Sequence, residues 1–168
     1  IYIFSEMGAS PTFVGTMAAL STGITYVMLN LGAWWCDRVG RKAPVAIGYL
    51  LSASTLVALA LAEGTASLLP YYLLAALATV GSAASSALLQ EYAPSDLRAR
   101  YFGANDALML LCLSAGPPLG GLIYASLGAR TLFEVQAALQ CFVILPYFLL
   151  AIPETRRPKT RTPAHLLT

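Results

Sequence analysis

The sequence predicts an all-α membrane protein with five complete transmembrane helices and the end of a sixth. Three observations lead there. Of 168 residues, 58% are hydrophobic and 11% charged, with a mean hydropathy of +0.69; an ordinary soluble domain has about 25% charged and about 45–50% apolar residues. The apolar residues gather into five long runs, and Lys and Arg fall almost wholly on alternate connections between those runs. A water-soluble globule of this composition would leave much apolar surface wet, which excludes a soluble enzyme. The net charge of +2 is too small for binding a phosphate backbone, so no nucleic-acid partner is expected.

Crossing about 30 Å of hydrocarbon takes roughly 20 helical residues. Runs of that length occur at about 11–35, 43–62, 68–90, 100–127 and 131–152, each bounded by charge, Gly or Pro. Residues 1–4 are too short to span and read as the end of a truncated helix, and a start at Ile1 rather than Met points to a fragment or a processed chain. The runs are rich in Ala and Leu and lack period-two alternation, which argues against strands. Small residues at 81–87 and 114–121 allow close helix approach. Pro117 and Pro118 are expected to bend the fourth run, because each removes a helical hydrogen bond and crowds the preceding turn. The helical body is expected over 1–157 and a polar cytoplasmic tail over 158–168.

Orientation follows from the cations. Arg38, Arg41 and Lys42 follow the first run, Arg98 and Arg100 precede the fourth, and Arg156, Arg157, Lys159 and Arg161 follow the last. Those nine share one side, and only Arg130 falls opposite, with Glu6 and Glu63. The positive-inside bias therefore puts residues 37–42, 91–100 and the C-terminus in the cytoplasm of a cell (inner or plasma) membrane.

Catalytic chemistry finds little to work with. Cys36, Cys112 and Cys141 form no C-x-x-C pair, and His165, the single histidine, stands in the polar tail. No metal site, cofactor or catalytic constellation is expected. No G-x-x-x-x-G-K-[ST] phosphate loop is present, so any pumping would draw on an ion gradient.

The turn after the first run reads Asp37-Arg38-Val-Gly40-Arg41-Lys42, which resembles the D-R-x-G-R-[RK] signature loop of major facilitator superfamily transporters. The turn between the third and fourth runs, with Glu91, Pro94, Arg98 and Gly103, is similar to that family's E-x-x-P-x-x-x-R-x-x-x-x-G connection. Pro153-Glu154-Thr155-Arg156 resembles the P-E-T ending after a terminal helix. One departure is that Ala33, preceded by Gly32, stands where the family usually has Gly. The resemblance implies half of a twelve-helix bundle, with the C-terminal half favoured. Residues 116–121 also resemble the G-P-x-x-G-G signature of drug–proton antiporters, which belongs to the other half. It further implies a permease moving a small organic solute by alternating access, coupled to protons, in a lipid bilayer and in company with a second six-helix half. A non-transporting scaffold or receptor on the same fold is the alternative.

Within that frame the first and fourth helices of a half line the cavity, so Thr79, Ser82, Ser86 and Gln90, at three- and four-residue steps, are cavity candidates. Hydroxyls on such a face can equally bond back to their own helix. Asp106 reads either as a proton-coupling carboxylate or as a group solvated near the interface or paired with Arg98 or Arg100. Asp37, Arg38, Gly40, Arg41, Glu91, Arg98, Glu154 and Arg156 form the candidate cytoplasmic lock, with Asp37 at a helix N-terminus and Arg41 pairing with Glu91 or Glu154. Fixing insertion orientation alone is the plainer role for these cations.

Overall fold

A computed structural model describes residues 8–151. The expectations placed on Glu6, on Glu154 and Arg156, on His165 and on the tail at 158–168 lie outside the described residues.

Helix α1 spans Pro11–Val39. The Ser10 hydroxyl accepts from the Phe13 amide at 3.2 Å and Pro11 takes the first turn, where its missing N–H costs nothing. The helix runs four residues beyond its expected end at 35, so Asp37 and Arg38 belong to its last turn rather than to a loop. Gly40, at φ 115°, ends it in backbone that a side chain would strain. Helix α2 spans Lys42–Ala60, and a short 3-10 turn at Thr65–Ser67 leads into α3, Leu68–Ala78. Helix α4 spans Val80–Tyr92 and α5 spans Arg98–Leu139; a π-turn at Gln140–Ile144 joins α5 to α6, Leu145–Ala151. No strand occurs among the described residues. Among the described residues, four helical runs are long and apolar enough to cross a membrane: Pro11–Arg38, Lys42–Ala60, Thr65–Tyr92 and Arg98–Ala151.

Two runs depart locally from regular helix. The third forms one apolar stretch, Thr65–Tyr92, with a break between α3 and α4 at Thr79. The Thr79 hydroxyl and amide both donate to the Ala76 carbonyl, at 2.6 and 3.3 Å, and the Thr79 carbonyl accepts from the Ser82 amide at 2.9 Å. These i,i+3 contacts tighten the chain where a hydroxyl competes for a helical acceptor. In the fourth run, Pro117 and Pro118 stay inside helical backbone, and the one non-helical residue of α5 is Gly128, at φ 84° and ψ 166°, which falls between the expected fourth run (about 100–127) and fifth run (about 131–152). Glycine has no Cβ to oppose that conformation, so the chain redirects there.

Helix α2 packs against α3, α4 and α5, and α4 packs against both α1 and α2 with its Val80, Gly81, Ala84 and Leu88 buried. Around Val80 and Gly81 the contact is backbone to backbone. A Cβ on Gly32 of α1 would run into the Val80 carbonyl oxygen, and one on Gly48 of α2 would stand 3.0 Å from the Gly81 Cα. A Cβ on Gly81 itself would meet the Pro44 carbonyl oxygen at 3.0 Å. Gly32, which is buried, thus takes the close approach, while Ala33 is exposed. Apolar clusters flank this contact: Ala9, Leu59, Ala62 and Leu68 at one end, and Val45, Ala84, Leu88 and Phe148 at the other, where Tyr49 meets Phe148 edge-on at 5.6 Å. By contrast every residue from 103 to 119 of α5 is exposed.

Backbone atoms cannot swing aside as side chains do, so a methyl group at Gly32 should force α1 off α4. Gly32→Ala should destabilise the detergent-solubilised protein by about 1–3 kcal/mol, the usual cost of overpacking. Gly23→Ala, on the same helix with open space around it, should be neutral or slightly stabilising in the same thermal melts.

Candidate functional site: a charged turn and a polar cleft

The turn joining α1 to α2 gathers charge at one end of the bundle. Arg41 forms an ion pair with Glu91 in the last turn of α4, and one of its guanidinium N–H groups donates to the Ala87 carbonyl at 3.0 Å. A cation at the C-terminal end of a helix is favoured by the helix dipole as well as by the acid. Both side chains are about a third exposed or less, at 25% and 34%. The neighbouring Lys42 turns elsewhere, its ammonium donating to the Leu149 carbonyl of α6 at 2.6 Å. Arg38 lies over the Trp34 ring, 4.6 Å from the centroid, as a cation–π contact.

Not every candidate joins this group. Asp37 and Arg98 are exposed and form no ion pair among the described residues. The other ion pair there is Arg130–Glu134 at 2.9 Å, an exposed i,i+4 contact on the far connection. Asp106 is exposed on α5 and accepts from the Asn105 side-chain amide at 3.3 Å; neither Arg98 nor Arg100 pairs with it.

A cleft of about 250 Å³ lies among α2, the α3–α4 break and the π-turn. Thr79 and Ser82 line it, together with Tyr49, Ser52, Ser85 and Gln140. The Ser52 hydroxyl approaches the Gln140 side-chain oxygen at 3.5 Å. Ser86 and Gln90 do not line the cleft; with Ser82 they form an exposed row at four-residue steps on the side of α4 opposite its buried Val80, Ala84 and Leu88. Tyr49, Ser52 and Gln140 had escaped notice in the sequence. Val45, Gly48, Tyr49 and Ser52 do fall at i, i+3, i+4 and i+7, so their common face was readable, but what it faces was not.

A family model described as Major Facilitator Superfamily matches residues 1–166. No curated protein matches the chain.

Arg41 and Glu91 come from different elements, so their contact can be isolated by exchange. Arg41→Glu and Glu91→Arg should each lower the unfolding midpoint of the solubilised protein. The double exchange should recover part of the loss, with a coupling on the order of 0.2–1 kcal/mol for so accessible a pair.

Proposed function

The chain belongs to the major facilitator superfamily, a family of membrane transporters, and on that premise we propose that it is part of a secondary active permease. In this reading it moves a small organic solute by alternating access, coupled to protons, as antiporter or importer. The 54-residue run Arg98–Ala151 serves as two spans divided at Gly128, which with the three preceding runs makes five. The end carrying Arg38, Arg41, Lys42 and Arg98 is cytoplasmic in the cell membrane, as the cation bias favours. The half is the C-terminal one, and a second six-helix set covers the exposed face of α5. Ser82, Ser86 and Gln90 face the solute path, which fits the uncovered polar side of α4.

The observation that carries this reading is the ion pair of Arg41 with Glu91, together with the Arg41 contact to Ala87. These groups sit on two connections at one end of the bundle, so the contact can hold in a closed state and part in an open one. Only a contact that differs between states biases their equilibrium. Asp37, Arg38, Gly40, Arg98, Glu154 and Arg156 complete the lock in the assembled transporter. Asp37 finds its partner at the N-terminus of α5 when the cytoplasmic side closes, which fits its exposed position without an ion pair among the described residues. Asp106 is the coupling carboxylate: a carboxylate well inside an apolar run must face water or protein, and among the described residues no cation pairs with it.

The full-length protein in proteoliposomes, screened with labelled solutes under an imposed pH gradient, should accumulate or expel at least one of them and lose that flux to an uncoupler. Solute binding without flux would favour a receptor or scaffold. Asp37→Asn should insert at normal abundance yet transport about tenfold more slowly, since about 1.4 kcal/mol on one state is a factor of ten. Asp106→Asn should keep solute exchange and lose gradient-driven accumulation. Wild-type, pH-dependent accumulation in that variant would remove Asp106 from the coupling path.

A further inference from the structure

Lys42 occupies the first position of α2, where a positive charge opposes the helix's own dipole. The helix dipole does not favour a lysine there. Its ammonium instead reaches the Leu149 carbonyl of α6, 107 positions along the chain, at 2.6 Å. Leu149 is a particular acceptor. In a continuing α-helix its carbonyl would take the amide hydrogen of the residue four places on, and that residue is Pro153. Proline has no N–H to give. The Leu149 oxygen therefore lacks the i+4 backbone donor of a regular helix, and a carbonyl left without a donor near the apolar zone is costly.

We propose that Lys42 is a positioning residue that replaces the missing Pro153 amide, capping the Leu149 carbonyl and binding the last helix to the start of α2. The contact is charge-assisted, hence stronger than the neutral bond it replaces. It has a second consequence through its neighbour. Arg41 holds the end of α4 through Ala87 and Glu91, so one turn of two adjacent cations fastens two helix ends, α4 by the first and α6 by the second. Helices α2 and α6 then move as one body at this end, while the Arg41 contact remains the one free to open. This division of labour rests on the transport reading; the Lys42 cap itself does not.

The pairing with proline gives a test that a simple orientation charge would fail. In the full-length protein in nanodiscs, hydrogen exchange is followed over residues 145–151, which needs no substrate and so stands apart from any transport assay. Lys42→Met keeps the side chain's length without the donor and should speed exchange there about tenfold or more. Pro153→Ala supplies a backbone N–H, should be near neutral alone, and should return exchange in the Lys42→Met background to within about twofold of wild type. If Lys42→Met leaves exchange unchanged, the cap does not exist in the membrane. If Lys42→Met accelerates it and Pro153→Ala gives no rescue, Lys42 acts by some route other than the Leu149 carbonyl. Either result overturns the proposal.

Discussion

The arrangement depends on how closely α4 can approach its neighbours at Val80 and Gly81. In a bilayer no hydrophobic gain drives helices together, since lipid is as apolar as a leucine, and association relies on close contact and hydrogen bonds. Gly32 and Gly48 let two helices touch that short stretch of backbone at once. The approach fixes which side of α4 is buried and leaves Ser82, Ser86 and Gln90 on the other. It also sets the register of the charged end. Glu91 lies ten residues beyond Gly81, about 15 Å along a helix, and Arg41 lies seven residues before Gly48, about 10 Å along the antiparallel one. The long arginine side chain closes the difference. A shift of one helical turn at the glycines would separate the ion pair.

The electrostatics follow the same geometry. Arg41 and Lys42 stand at the head of α2, where their charge is unfavourable, and both reach to the C-terminal ends of other helices, where it is favourable. The apolar clusters at Leu59–Leu68 and at Val45–Phe148 hold the two ends of the bundle. Between them lies the cleft of Thr79, Ser82 and Gln140, so polar groups within the bundle collect where the third run breaks.

Much of this was legible in the sequence, and the limits have physical causes. Length and hydropathy locate the apolar runs, since bilayer thickness admits few solutions. The break at Thr79 escaped because a threonine in a helix more often bonds back without disturbing it, and only the tightened contacts of Ala76 and Ser82 distinguish the case. Gly128 falls at the boundary that the hydropathy runs place between about 127 and 131, and takes a conformation that other residues resist. The partnership of Arg41 and Glu91 could be anticipated from two charged connections on one side. The reach of Lys42 could not, because its acceptor is a backbone carbonyl and carries no residue identity. The serine row was readable as a face, whereas the cleft needed the third dimension to bring Ser52 and Gln140 beside Thr79.

In the proposed topology α2 and the α3–α4 pair carry the chain across the bilayer and back, with the Arg41–Glu91 contact on the cytoplasmic side. Its most direct test is labelling of single cysteines in the full-length protein, with Cys36, Cys112 and Cys141 replaced. Ser67→Cys should react with a membrane-impermeant maleimide added outside intact cells, and Asp96→Cys should react only after the membrane is opened. Reaction of both positions from the same side would contradict the account.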